Sequence, residues 1–85
     1  MFEQFGDKLK QPEKRVVGTK QVLKLLDSGD AELVVIADDA DEHIKTNVKS
    51  AAEESGTRVC TVPTKRELGE ACGIKVNAAC AATVK

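Results

Sequence analysis

The chain has 85 residues and a formal net charge of −1, which by itself favours no particular partner. This length provides one hydrophobic core of modest size, so we expect residues 1–85 to form a single domain. Because no apolar run approaches the length of a signal peptide or a membrane span, we expect a cytoplasmic protein without a membrane partner.

The near-neutral total hides a segregation of charge along the chain. Residues 8–24 contain six bases and one acid, whereas residues 27–42 contain seven acids and no base. Further along the chain basic residues occur again, among them Arg58, Lys65, Arg66 and Lys75. If the fold separates these segments, the protein has a basic surface and an acidic one.

The first half of the chain predicts two helices and two strands. A short helix is predicted within residues 1–12, where Phe2 and Phe5 have roughly helical spacing, and the β-branched run RVVG (15–18) predicts a strand. A second helical pattern runs from Thr19 to a stop at Gly29, which has the position of a left-handed cap. The nearly continuous apolar run ELVVIA that follows is typical of a strand covered on both faces.

The middle of the chain predicts a helix and a strand. Asp39 and Glu42 stand three residues apart, as in a capping box, ahead of an apolar helical stripe that Gly56 ends. RVCTV (58–62) then predicts a strand.

The last part predicts one more helix and one more strand. Thr64 and Glu67 form a second capping box, Gly73 ends the short helix, and NAACAATV (77–84) predicts the final strand. Strands and helices therefore alternate. We expect an α/β fold whose mixed, mainly parallel sheet of about four strands has helices on both faces.

The start of the second helix, GTKQVLK, is a candidate binding site. Lys20, Gln21 and Lys24 share one face, although lysines at a helix N-terminus oppose its dipole. Gly18 would let another molecule approach the free amide N–H groups, which favour anions. Lysine suits guanine acceptors and glutamine suits adenine. The alternative is a solvated helix face after a turn glycine.

Residues that usually form metal or catalytic sites are few. Cys60, Cys72 and Cys80 lack C-x-x-C spacing, and the single histidine, His43, is distant from them in sequence. We therefore expect reduced core cysteines, no metal and no cofactor. Nucleophilic catalysis requires a general base beside the nucleophile, and a lone histidine in the polar first turn of a helix does not provide this arrangement. We therefore expect no enzyme activity.

Asp38 and Asp39 raise a second possibility for chemistry. They follow a buried strand, where open α/β sheets place ligand sites, and paired carboxylates can hold Mg²⁺ as in phospho-accepting receiver domains. Such domains need more strands than this length supplies. We adopt the alternative, that these aspartates cap the next helix.

The loop after Gly73 has an unusual composition, because Ile74 and Val76 flank Lys75. One interpretation is an apolar ledge against an unstacked base, with the lysine on the nucleic-acid backbone. The other is that both apolar side chains turn inwards as the last strand begins.

Together these segments resemble a known family. GTKQVLKLLDSGDAELVVIADDAD, VPTKRELGEACGIKV and the alanine-rich last strand are similar to the kink-turn-binding ribosomal proteins, the seven-Ae and thirty-e superfamily. The resemblance covers residues 14–84, and the length is similar to that of small bacterial members. It implies a three-layer α/β/α sandwich that binds a sharply bent RNA internal loop built on sheared G·A pairs.

The resemblance also implies roles at the helix start. Gly18 and the adjacent Thr19 would lie against the RNA backbone, and Lys20, Gln21 and Lys24 would face the G·A pairs in a locally widened major groove. An ordinary A-form major groove is too narrow for side chains, so recognition of this kind depends on the bend.

Further roles follow at the two loops. By resemblance, Asp41 and Lys65 border the pocket of a flipped-out nucleotide, while Ile74, Lys75 and Val76 form the specificity loop that packs over the bulge. The implied partner is structured RNA, in ribosomal RNA or a messenger leader, with the ribosome as a further candidate. We expect a monomer.

Two positions depart from the family pattern. Many members carry Asn-Glu where this chain has Lys20 and Gln21, and a neutral carbonyl accepts hydrogen bonds from base amino groups less strongly than a carboxylate. The family proline near position 42 is Glu42 here. We expect affinity to rest more on electrostatics and selectivity for G·A pairs to be looser.

The alternative function is a protein–protein interaction module of the same fold without RNA binding.

Overall fold

The computed structural model describes residues 9–85, which form four strands and three α-helices after a 3-10 turn at Pro12–Lys14. In chain order they are β1 (Arg15–Val17), α1 (Thr19–Ser28), β2 (Ala31–Ala37), α2 (Glu42–Glu54), β3 (Arg58–Val62), α3 (Lys65–Ala71) and β4 (Cys80–Val84). The short helix predicted within residues 1–12 lies largely outside the described residues. None of the helices in the described range is long and apolar enough to cross a bilayer.

The four strands form one mixed sheet in the order β1–β4–β2–β3. The expectation that it is mainly parallel is wrong: only β2 and β3 are parallel, and β4 is antiparallel to both of its neighbours. The reason is the path of the chain after α3. Residues 73–79, which we call the returning loop, run back along the helix, and the Ala78 N–H donates to the Lys65 carbonyl (3.1 Å). β4 therefore starts at the edge where β2 ends.

Helices cover both faces of the sheet, which gives the three-layer α/β/α sandwich that the resemblance implies. On one face, Val22 of α1 and Val48 of α2 pack with Ile36 of β2. On the other face, Leu68 of α3 packs with Val35. Fully burying such side chains contributes about 1.5–3 kcal/mol each. As its continuous apolar run predicts, β2 is covered on both sides.

The last strand is shorter than predicted, because residues 77–79 belong to the returning loop. Cys80, Ala81 and Ala82 are completely buried. Cys80 and Ala82 lie in the same cluster as the buried side chains of α1. Small residues in β4 thus let helices pack closely against the sheet.

Helix ends confirm most of the predicted caps. Gly29 is left-handed (φ 77°) and its N–H donates to carbonyls in the last turn of α1. The Thr64 hydroxyl accepts a hydrogen bond from the Glu67 N–H (3.1 Å) at the start of α3. Gly56 and Gly73 are also left-handed and follow the ends of α2 and α3.

The capping box predicted between Asp39 and Glu42 is wrong. A turn after β2, in which the Ala40 N–H donates to the Ala37 carbonyl (3.1 Å), delays the helix. Asp41 is the N-cap instead, and its carboxylate accepts from the His43 N–H (2.8 Å). Asp39 is left available for a partner in another element.

Candidate nucleic-acid interface

All three helices begin at the same edge of the sheet. β1, β2 and β3 end there and β4 begins there, since Ile36 pairs with Cys80 and Ala37 pairs with Val62. We call this the helix-start edge (residues 18–21, 38–42, 63–66 and 78–80). Helix N-termini carry partial positive charge, so this edge attracts anions before any side chain is considered.

Gly18 sets the entry to α1. Its φ of 101° is a conformation that L side chains rarely adopt, and a Cβ there would meet no protein atom within 4 Å. Its N–H donates to the Cys80 carbonyl (3.0 Å), and its carbonyl accepts from the Val22 N–H (3.0 Å). The space that a side chain would fill is therefore open to another molecule.

No side chain caps α1, so its first amide N–H groups, from Thr19 onwards, lack a capping acceptor. Lys20, Gln21 and Lys24 are exposed on one face of this helix. Within residues 9–85 neither lysine forms an ion pair. The α1 start thus presents two free ammonium groups, an amide and unpaired backbone donors together.

Thr19 differs from its neighbours, because its side chain is directed to the protein. Its hydroxyl lies 3.8 Å from the Cys80 sulfur and accepts a hydrogen bond from that thiol. Burial raises the pKa of the Cys80 thiol, and the bond to Thr19 opposes this rise. The contact, like the Gly18–Cys80 hydrogen bond, fixes the α1 start against the beginning of β4.

The returning loop is held against α3 along its length. The Ile74 N–H donates to the Gly69 carbonyl (3.1 Å) near one end, and Ala78 bonds Lys65 at the other. Between them the backbone of Val76 lies so close to Gly69 that a Cβ on this glycine would collide with the Val76 carbonyl. Gly69 was missed at the level of sequence, although a glycine inside a helical pattern often indicates such a close approach.

The two apolar residues of the predicted ledge, Ile74 and Val76, differ in their exposure. Val76 is 68% exposed, and Lys75 is exposed beside it. Ile74 is half-buried and packs against the core cluster under α3. The interpretation that both apolar side chains turn inwards therefore holds for Ile74 and fails for Val76.

The acidic β2–α2 loop is tied to the rest of the helix-start edge. The Asp39 carboxylate accepts a hydrogen bond from the Lys65 N–H (2.8 Å), while the Lys65 carbonyl accepts from Ala78. The backbone of Lys65 thus joins the segment that carries Asp41 to the returning loop. Sequence reasoning missed this use of Asp39, because its partner lies 26 residues away.

The carboxylates of this loop are largely compensated within the protein. Lys45 lies 3.2 Å from Glu42 and 3.8 Å from Asp38, and it also donates to the Asp38 carbonyl (2.9 Å). Asp39 and Asp41 accept from backbone N–H groups. Their repulsion of an incoming polyanion is therefore reduced. Among residues 9–85 there is no group of three His, Cys, Asp or Glu side chains that could hold a metal ion.

The fold and this edge define a three-layer α/β/α protein whose helix N-termini and returning loop form one surface. The model of the Ribosomal protein L7Ae/L30e/S12e/Gadd45 family matches residues 3–85. The chain belongs to this family.

Curated relatives extend over nearly the whole chain. An RNA-binding protein of Caldanaerobacter subterraneus subsp. tengcongensis is 48% identical over 73 residues, 86% of this chain and 89% of that protein. RNA-binding protein YbxF of Geobacillus stearothermophilus is 40% identical over 79 residues, 93% of this chain and 96% of that protein.

Solved structures share the fold. The 15.5kD RNA binding protein of Giardia lamblia superposes with a TM-score of 0.88 at 29% identity, over 99% of this chain and 71% of that one. A protein with unknown function from Bacillus halodurans C gives a TM-score of 0.83 at 21% identity, over 96% of this chain and 85% of that one. The second similarity concerns the fold alone.

Proposed function

We propose that this protein binds RNA at the helix-start edge and recognises sharply bent kink-turn elements with tandem G·A pairs. The observation that carries the proposal is the hydrogen bond between Gly18 and Cys80, which joins the uncapped, lysine-bearing α1 start to the first residue of β4, directly after the returning loop. The names of the relatives, which are RNA-binding proteins, support the same class of ligand.

The chemistry of the α1 start suits folded RNA. Free helix N–H groups and the ammonium groups of Lys20 and Lys24 would contact phosphates or guanine acceptors, and Gln21 offers both a donor and an acceptor to base edges. Gly18 leaves room for the sugar–phosphate backbone. Side chains reach base edges only where the major groove is widened, so a bent element is favoured over regular A-form helix.

The two loops would define the rest of the contact. Lys75 and the exposed Val76 would pack over the bulge, and Asp41 with Lys65 would border a flipped-out nucleotide. Ile74 would act mainly by holding the loop, because its side chain packs against the core. The chain as a whole then serves as one cytoplasmic RNA-binding domain, monomeric and without catalysis, with ribosomal RNA or a messenger leader as its target.

The test is a titration, at fixed salt, of an RNA hairpin with tandem G·A pairs against the same hairpin with Watson–Crick pairs. We expect the G·A hairpin to bind more tightly than the Watson–Crick hairpin. The ratio of the two affinities should be smaller than it would be with a carboxylate at position 21. Gln21→Glu is the matched variant for this point, and it should widen the margin while lowering the affinity for both hairpins. Equal affinities for the two hairpins would contradict kink-turn selectivity. Absence of binding to either hairpin would favour a protein–protein module of the same fold.

A further inference from the structure

A groove lies between the C-terminal ends of α1 and α2, at the pole opposite the helix-start edge. Its volume is about 460 Å³, within the roughly 300–1,000 Å³ of ligand sites. α1 has ten residues and is about 15 Å long at a 1.5 Å rise per residue. A molecule in the groove would therefore leave the helix-start edge free.

The groove has an apolar floor and an acidic rim. Leu26 is buried, and Leu23 and Ala51 are half-buried at the floor, while Asp27 and Glu54 are exposed at the rim. The floor offers a surface for methylene or methyl groups, and the rim offers carboxylates for cations. A single occupant of both must be cationic and partly apolar.

The backbone adds to the negative charge of this pole. α1 and α2 both end at the groove, and the last turn of neither helix contains a basic residue. Helix C-termini carry partial negative charge, which favours cations. In the described part of the chain, no ion pair neutralises Asp27 or Glu54, although Lys24 stands one turn before Asp27.

We propose that this groove docks a basic segment of a partner protein, in which an arginine or lysine lies beside an apolar side chain. The long methylene stem of such a residue would cover Leu23 and Ala51 while its charged end reaches Asp27 and Glu54. A small polycation would use the carboxylates but leave most of the floor uncovered. A second copy of this chain also carries exposed bases, and it is distinguished from a basic peptide by its dependence on protein concentration.

The proposal goes beyond RNA binding, because it assigns the protein a second surface at the opposite pole. The protein would then connect a folded RNA to a basic protein, each bound at its own end of α1. Protein partners of this charge are attracted at long range, so docking should weaken as salt is raised.

The test is an NMR titration of the isotope-labelled full chain, without RNA, with a short synthetic arginine–leucine peptide. Shifts are expected at the amides of Leu23, Ala51 and Ser55. Asp27→Asn combined with Glu54→Gln should lower the affinity for the peptide by roughly fivefold, since each exposed ion pair contributes modestly. Glu13→Gln combined with Glu70→Gln removes the same two negative charges at exposed positions outside the groove. This double variant is the matched control and should bind as the parent chain does.

Each other outcome overturns the proposal. Shifts outside the groove, or equal binding by the double variant, show that the peptide is attracted only by overall charge. Displacement by spermidine at equal concentration indicates a polyamine site, and shifts that grow with protein concentration alone indicate a second copy. Because the titration contains no RNA, its failure leaves the proposed RNA function untouched, and the reverse also holds.

Discussion

At the scale of single residues, Gly69 determines how closely the returning loop approaches α3. In an exposed helix interior, glycine to alanine stabilises by about 1 kcal/mol through helix propensity. Here the added Cβ would collide with the Val76 carbonyl, which is backbone and cannot rotate away.

We therefore expect Gly69→Ala to lower the free energy of unfolding by about 1–3 kcal/mol and to weaken binding of the G·A hairpin. Urea unfolding and the hairpin titration measure the two effects. Ser50→Ala, on the exposed face of α2, is the control and should be neutral or slightly stabilising. A more stable Gly69→Ala chain would contradict the close contact.

Asp39 is the second residue whose role follows from one contact. Its carboxylate accepts from the Lys65 N–H at 2.8 Å and so ties the β2–α2 loop to α3. Asp39→Ala should lower the affinity for the G·A hairpin although it removes a negative charge. The reason is that the segment carrying Asp41 is no longer tied to Lys65. Asp39→Asn keeps an acceptor oxygen and should retain or exceed the parent affinity.

Asp38→Ala provides the matched control for Asp39, since it removes the neighbouring exposed carboxylate without touching Lys65. It should leave affinity unchanged or raise it through reduced repulsion. If Asp39→Ala behaves as Asp38→Ala does, Asp39 acts only through its charge. If the parent chain fails to prefer the G·A hairpin, the proposed function fails instead.

At the scale of elements, different residues of the returning loop serve core packing and the proposed RNA contact. Val76 is exposed and Ile74 packs against the core. Val76→Ser should weaken binding of bent RNA and leave the melting temperature nearly unchanged. Ile74→Ser should lower the free energy of unfolding by about 1–2 kcal/mol, as loss of a half-buried apolar side chain does. Thermal unfolding and the hairpin titration, run on both variants, distinguish these roles, and equal destabilisation would return Val76 to the core.

The α1 start determines the electrostatic part of the proposed contact. If Lys20 and Lys24 meet phosphates, their replacement by alanine should reduce the slope of log affinity against log salt by roughly 0.7–0.9 per lost contact. Filter binding or fluorescence anisotropy over a salt series gives this slope. Lys49→Ala, at an exposed position of α2, is the control. An unchanged slope in the double variant would remove both lysines from the interface.

At the scale of the whole molecule, two buried thiols link stability to alkaline pH. Burial raises the pKa of the Cys72 thiol, against the lowering effect of nearby Arg15, and burial likewise raises the pKa of Cys80. Below the unfolded value of about 9.0, both thiols are neutral in both states and their contribution to stability is complete. Above it the unfolded chain ionises first, so stability falls as pH rises through the folded pKa.

We therefore expect urea unfolding to give a free energy that falls once the pH exceeds about 9, with each thiol contributing at most about 1.4 kcal/mol per pH unit. A Cys72→Ala, Cys80→Ala chain is less stable at neutral pH, yet its decline with pH should be shallower. Parallel declines in the two chains would mean that other groups cause the alkaline loss.

Also at this scale, the acidic groove and the proposed RNA surface lie at opposite ends of α1. The segregation of charge along the sequence predicts a basic and an acidic surface, and the fold puts the two in definite places. Lys20 lies at the helix-start edge and Lys24 lies near the middle of α1, whereas Asp27 and Glu54 lie at the groove. Part of the acidic segment nevertheless lies at the helix-start edge, where Lys45 and backbone N–H groups compensate it.

The sequence by itself determined the presence and order of the three helices and four strands in residues 9–85, because these depend on neighbours a few residues apart. The stripe of α1, the stop at Gly29, the Thr64 cap and the doubly buried β2 all follow from local spacing and side-chain chemistry. The motifs also sufficed to indicate the family, and with it the sandwich.

Only the tertiary structure decided how those elements meet. The direction of β4, the partner of Asp39, the contact of Gly69 with Val76 and the burial of Ile74 depend on groups that are distant in the chain or on the path of one loop. Spacing in sequence carries no information about such contacts, since α3 and the returning loop acquire their relative position only when the sheet forms beneath them. The helix-start edge is likewise a product of topology, because three helices share it only when their strands lie side by side.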